Sequence, residues 1–155
     1  MTNIDTTRTT EIPNMSYNIK IAAWDVLRED AAVIRNEVFV VEQNVPAELE
    51  MDEMDAVCVH AVAYDAAGIP VATGRLLPDG HIGRMAVRKS GRGKGIGGSV
   101  LQALMAAARA RGDREVVLNA QTHAASFYGS HGFSQEGAEF MEAGIAHIHM
   151  RAALD

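Results

Sequence analysis

The stretch HIGRMAVRKSGRGKGIGGSVLQALMAAARARG (81–112) decides how this chain is read. HIGRMAV (81–87) reads as a strand, RKSGRGKGIGG (88–98) as a loop, and SVLQALMAAARARG (99–112) as a helix. The helix is rich in Ala and Leu, carries Arg late and has Gly112 at its stop. Gly91, Gly93, Gly95, Gly97 and Gly98 let the loop backbone approach a ligand closely and take positive φ. At the start of a helix, free N–H groups and the positive dipole end favour an anion, typically phosphate. Arg88, Lys89, Arg92 and Lys94 add four positive charges within seven residues. The segment therefore reads as a phosphate cradle. The plainer alternative is a flexible basic loop ahead of a helix.

Outward from this segment, residues 1–15 lack an apolar period and read as a flexible tail or a start-site artefact. Residues 16–155 read as one domain, in keeping with a length of 155 residues. YNIKIAAW (17–24) alternates like a strand, and Asp25 is a candidate N-cap. Leu27, Ala31, Ile34, Val38 and Val41 then recur at helical spacing. PAELEMDEMD (46–55) is acidic and either helical or looped. VCVHAVAYD (57–65) and IPVATGRLL (69–77) read as a hairpin joined by Ala-Ala-Gly. EVVLNAQ (115–121) is a buried-type strand, HAASFYGSHG (123–132) a short helix, and two strands flank Glu142–Gly144. The order β α (α) β β β α β α β β predicts an α/β or α+β sandwich with helices on both faces of the sheet.

Composition narrows the function. Apolar residues make up 48% and charged residues 22%, an ordinary globular balance. The net charge of −6 argues against nucleic acid as a partner. No apolar run approaches the ~20 residues that would span a membrane. The N-terminal MTNIDTTRTTEIPNM has no signal-peptide core, and Cys58 is the one cysteine, so an intrachain disulfide and a cysteine-cluster zinc site are excluded. The expectation is a cytoplasmic protein.

Three phosphate-binding patterns compete for the loop. A P-loop fails, because Lys94 is followed by Gly95 and Arg88 stands where the first glycine belongs. A dinucleotide fingerprint can be placed on Gly93, Gly95 and Gly98, but the next strand ends in Asn119 and Gln121 without a ribose-binding acid. Arg92-Gly93-Lys94-Gly95-Ile96-Gly97 matches [QR]-x-x-G-x-[GA] between a strand and an apolar helix. This resembles the pyrophosphate loop of the GCN5-related N-acetyltransferase (GNAT) superfamily. A second match follows: Gln121, Ala124, Tyr128, Gly132 and Phe133 fall in register with N-x-x-A-x-x-L-Y and its closing G-F, with Gln121 for Asn and Phe127 for Leu. IRNEVFVVEQ (34–43) and EAGIAHIHM (142–150) resemble the ElaA-type branch of small acetyltransferases.

The resemblance implies a GNAT fold with a mixed, mostly antiparallel central sheet of about six to seven strands. It implies acetyl-CoA as acyl donor, a primary amine of a small molecule as acceptor, direct sequential transfer and no metal. Met85, Ala86 and Val87 would offer backbone groups to the pantetheine arm and acetyl carbonyl, with strand splaying to open the slot. Backbone amides of Arg92, Gly93, Lys94, Gly95, Ile96 and Gly97 would hold the pyrophosphate, with Arg92 neutralising it. Gln121 and Ala124 complete the cofactor set. Tyr128 would protonate the leaving sulfur.

The resemblance also implies a histidine base near the C-terminal end, in a segment similar to GIAHIHM; His147, which shares a strand face with His149, fits that place, with His60, Glu42 and neighbouring carboxylates as rivals. A zinc site on His147 and His149 lacks a third ligand in the sequence.

On the acceptor side, Glu42, Glu48, Glu50, Asp52, Glu53 and Asp55 form either an acidic wall that attracts a cationic amine or a solvated acidic face. Arg35, Arg75 and Arg84 either reach an acceptor carboxylate or pair with those acids. A non-catalytic acyl-CoA sensor of the same fold is the alternative function. Many members of the superfamily pair as homodimers, and the Met- and Val-rich strands offer a surface for that.

Overall fold

The protein is described by a computed structural model covering residues 8–12, 17–47 and 52–154. β2 (Tyr17–Ala23) buries Tyr17, Ile19 and Ala22 and runs directly into α1 (Trp24–Arg35). Ala23, not Asp25, occupies the N-cap position; Asp25 lies in the first turn, where its charge still complements the helix dipole. Leu27, Ala31 and Ile34 bury one stripe of the helix, as their spacing predicts. The helix then widens into a π-helical segment, Asn36–Glu42, in which Gln43 N–H reaches the Val38 carbonyl at 3.2 Å. Each residue turns less about a π-helix axis than about an α-helix axis. Val38 stays buried, but Val41, expected on the apolar stripe, is rotated out and is 66% exposed.

A 3₁₀ turn (Glu53–Val57), closed by a reciprocal cap between Asp52 and Asp55, leads to β3 (Val59–Tyr64), β4 (Pro70–Leu76) and β5 (Ile82–Val87). Here α2 spans Ile96–Ala110, three residues earlier than the apolar pattern suggests, because Gly97 and Gly98 enter the helix instead of the loop. β6 (Glu115–Gln121), α3 (Ala125–Gly129), β7 (Ser134–Glu142) and β8 (Ile145–Ala153) complete the chain.

The strands form two antiparallel sheets, β1-β2-β3-β4-β5 and β6-β8-β7. β1 (Arg8–Ile12) is a finding against the reading of 1–15 as a tail: it pairs with Tyr17–Ile21 at the sheet edge. The rest of that tail, and Glu48 and Glu50 of the acidic stretch, lie outside the described residues. α2 covers one face of the first sheet through Val100, Leu101, Leu104 and Met105, in a core shared with Val116, Leu118 and Met150 of the second sheet. α1 covers the other face through Leu27, Ala31 and Ile34 against Val62 and Tyr64. Among the described residues no helix is long and apolar enough to cross a membrane.

Five charged side chains tie α1 to the sheet. Arg35, 1% exposed, grips both carboxylate oxygens of Asp55 at 3.0 and 3.1 Å. Arg75 donates to Asp55 at 2.8 Å and to both oxygens of Asp52, and Arg84 donates to Asp52 at 3.1 Å. Hydrogen bonding from Arg75, assisted by its charge, outweighs burial and holds Asp52 at about 2. Burial pushes Asp55 up, but Arg35 and Arg75 together hold it below the ordinary carboxylate value. His60, buried against Trp24, donates to the Asp55 carbonyl at 2.9 Å, and burial pushes its imidazole below the usual histidine range.

Removing one member of such a buried set strands the others. Asp55→Ala is expected to lower stability by about 3–5 kcal/mol in urea melts. Both acids are more acidic folded than free. Their contribution is therefore intact above the free value of 3.8 and is lost as pH falls from there toward about 2. Thermal melts of Asp52→Asn across that window should show a shallower acid loss than the parent; an equal loss would exclude this network as its source.

Candidate active site

β5 and β6 run side by side but hardly pair. They are joined by a single parallel bridge, His81 to Val117, with Val117 N–H on the Gly80 carbonyl at 3.0 Å. Beyond it the sheet splits. β5 bends through a register break opposite Thr73–Arg75, with Arg84 at φ 51°, a conformation that costs a non-glycine residue energy and that its ion pair to Asp52 helps to hold. The split opens a cavity of about 1060 Å³ lined by both strands, α2, α3 and the segment after α1.

Strand alternation fixes what β5 offers this gap. Arg88 N–H bonds the Val71 carbonyl at 2.8 Å, so Ala86 also turns its backbone groups to β4, while Met85 and Val87 turn theirs to the cavity. All three residues line the cavity, but only Met85 and Val87 turn backbone groups into it, and of these the Val87 carbonyl is taken by Arg92 Nε at 2.8 Å.

At the end of β5 the glycine loop forms the expected turn. Gly93 and Gly95 both have φ 77°, and a Cβ at either would meet open space. Gly95 is the N-cap of α2 and leaves the helix without a side-chain cap. The first intrahelical bond runs from Ser99 N–H to the Gly95 carbonyl at 3.2 Å, so the amides of Ile96, Gly97 and Gly98 remain for an outside acceptor. Those features fit a diphosphate. Three of the four basic side chains expected at the cradle are engaged with other protein groups. Arg88 is clamped by Glu37 at 2.9 and 3.1 Å. Arg92 donates to Glu42 at 2.7 Å and to the Val87 carbonyl at 2.8 Å. Lys94 does not line the cavity and donates to the Ser90 carbonyl at 3.1 Å.

These contacts make Glu37–Val45 a strap over the split. Its far anchor is Gln43, whose Oε1 accepts from Gln121 Nε2 at 2.9 Å; Gln121 Oε1 in turn accepts from His123 at 2.7 Å. Gln121 and Ala124 both line the cavity.

Tyr128 and His147 approach the gap from opposite faces of the split sheet. Tyr128 belongs to the core shared with α2, its ring edge-on to Phe127 at 5.0 Å and Phe133 at 5.9 Å. It is 9% exposed and lines the cavity, and among the described residues no partner hydrogen-bonds its hydroxyl. Burial pushes this phenol up to about 12, so it carries its proton at neutral pH. His147 pairs in register with Gln121, on the strap face. It is 7% exposed and stacked on Phe140 at 5.9 Å. Its Nδ1 donates to the Ile145 carbonyl at 2.6 Å. A carbonyl only accepts, so Nδ1 carries a hydrogen, and in the neutral ring the lone pair lies on Nε2.

Other expected residues fall elsewhere. Arg35 lies outside the cavity, locked to Asp55 and stacked over Trp24 at 5.3 Å. Arg75 and Arg84 line the cavity but hold Asp52 and Asp55, and Glu42 holds Arg92. His60 is buried under α1 and His149 faces Asn119 and Glu136; neither lines the cavity. Among the described residues no three His, Cys, Asp or Glu side chains gather as a metal ligand set. The sequence reading missed Gln43, Asn119 and Glu142. Glu142 was findable: the two-residue Ala143-Gly144 turn sets it opposite Ile145, and strand alternation puts Ile145 and His147 on one face.

Comparison with known proteins agrees with this geometry. A family profile for the Acetyltransferase (GNAT) domain matches residues 24–154. The uncharacterized N-acetyltransferase YjcF of Bacillus subtilis is 45% identical over 126 residues, 79% of this chain and 89% of YjcF. An acyl-CoA N-acyltransferase from Pseudomonas aeruginosa superposes with TM-score 0.78 at 34% identity, covering 89% of this chain and all (100%) of that one. Escherichia coli ElaA does so with TM-score 0.77 at 28% identity, covering 88% and 99%. The split sheet, the uncapped glycine-led helix and these similarities together establish that the chain belongs to the GNAT acetyltransferase family, whose members use acyl-CoA as a substrate.

Proposed function

We propose that the protein transfers the acetyl group of acetyl-CoA to a primary amine of a small molecule, directly and without an acyl-enzyme. The observation that carries this reading is the pairing across the gap: a protonated Tyr128 hydroxyl, without a partner among the described residues, on the α2 face, and His147 Nε2, the lone-pair nitrogen of the neutral ring, on the strap face of one cavity. An acid for the sulfur and a base for the amine are thus separated by the slot that a thioester would fill.

The α2 amides from Ile96 to Gly98 bind the diphosphate. The open edge at Met85 and Val87 pairs with the pantetheine arm as an added strand would, and its N–H groups polarise the carbonyl. His147 Nε2 takes a proton as the amine nitrogen bonds to the carbonyl carbon. The C–S bond then breaks, and Tyr128 gives its proton to the departing sulfur. The similarity to YjcF, an uncharacterized N-acetyltransferase, is consistent with an amine acceptor. Cys58, buried with its thiol donating to the Met54 carbonyl and pushed up by burial, is not used as a nucleophile.

Gly95→Asp forces an L-residue into φ 77° and puts a carboxylate at the cradle. It should abolish acetyl-CoA binding in calorimetry, and unchanged affinity would place the phosphates elsewhere. Tyr128→Phe should keep acetyl-CoA binding and lower kcat on the order of 100-fold in a thiol-release assay. His147→Gln should lower kcat/KM and remove the acidic limb of its pH profile, which an imidazole base generates. Binding of acetyl-CoA without thiol release from any amine would instead identify an acyl-CoA sensor.

A further inference from the structure

The strap face of the cavity also specifies what kind of amine fits. Its wall carries an apolar stretch, Val38, Phe39 and Val45 from the strap and Ile145 from β8, beside the amides of Gln43, Asn119 and Gln121. The charged side chains on this face are nearly all engaged with one another. Arg75 and Arg84 hold Asp52 and Asp55, and Glu42 holds Arg92. Glu142 differs. It lines the cavity, and its contacts are a 3.4 Å hydrogen bond from Asn119 Nδ2 and the His147 Nε2 at 3.8 Å. No guanidinium or ammonium among the described residues pairs with it, and its side chain is 48% exposed.

We propose that the acceptor is a primary ammonium on an apolar body, with Glu142 as the counter-ion that delivers it to His147. The proposal rests on the transferase reading above. An ammonium that approaches His147 Nε2 meets the Glu142 carboxylate first, because the two groups lie 3.8 Å apart. The attraction concentrates the charged amine there; the ammonium gives its first proton to solvent beside the half-exposed Glu142, and His147 takes the second as the nitrogen bonds to the carbonyl carbon. After transfer the same carboxylate faces the imidazolium. The body of the acceptor then lies along Val38, Phe39 and Val45.

The same wall disfavours other amines. A second ammonium on the chain would be buried against apolar side chains without a partner. A carboxylate next to the amine would meet Glu142 as a like charge, or would have to displace an aspartate from Arg75 or Arg84. Amino acids and polyamines are therefore disfavoured by unpaired charge, and aliphatic or aromatic monoamines are preferred.

The test compares n-hexylamine and benzylamine with spermidine and glycine, using acetyl-CoA thiol release and the full-length protein. The monoamines should have kcat/KM at least about tenfold above spermidine and glycine. Glu142→Gln should raise KM for n-hexylamine about tenfold with a smaller change in kcat, and Glu142→Asp should restore part of it. Acetyl-CoA affinity and melting temperature should be unchanged in both variants. Preference for spermidine or glycine overturns this proposal and leaves the transferase reading standing, as does an unaltered KM in Glu142→Gln. Acetyl-CoA binding with no turnover of any amine overturns both.

Discussion

The architecture depends on a sheet that is held together at one end and left unpaired at the other. A strand edge inside a domain normally has to be satisfied, since buried backbone groups without partners are expensive. β5 and β6 meet only around His81, Gly80 and Val117. Past that point the core shared by α2 and both sheets keeps the two strands from drifting, while the cavity between them leaves the Met85 and Val87 edge for a ligand. The glycine-led start of α2 lies at the end of the same edge. One extended molecule with a diphosphate at its far end can therefore satisfy both sets of donors at once.

The charged network under α1 is the counterpart of that opening. Arg84 sits in a left-handed conformation in the bulge that bends β5, and its guanidinium is tied to Asp52. Asp52 and Asp55 are in turn fixed by Arg75 and Arg35. The chain from helix to bulge is continuous, so the bend in β5 is braced from the strap side by ion pairs and from the other side by apolar packing. Arg75 Nε remains buried without a partner, a cost carried by the rest of the cluster.

Much of this was legible in the residues. The glycine loop, the strand before it and the Tyr128 helix are readable because local chemistry decides them: positive φ, a glycine-led helix start and a short helix ended by glycine. What escaped was set by long-range partners. The pattern of 24–41 looks α-helical throughout, and nothing local marks where the π-helical widening begins and turns Val41 outward. Arg35 looked like a ligand-binding residue because its acid, Asp55, is distant in sequence and comes near only when α1 docks. Arg8–Ile12 has no apolar period, and its order comes from backbone pairing at a sheet edge. Arg88 and Arg92 looked like phosphate ligands, but Glu37 and Glu42 meet them only because the strap crosses the loop.

The π-helical strap has a consequence for how this active site tolerates a change in length. A wide turn amounts to a phase offset between α1, which is anchored in the core, and the residues Phe39 to Gln43 that look down on the gap. Loss of one residue there would let the segment relax toward ordinary helical pitch, and the missing turn of about 100° would be largely offset by the larger turn of each remaining residue. The strap can thus absorb a one-residue length change and still present the same face to the gap. Neither the diphosphate cradle nor the tyrosine across the gap would be disturbed.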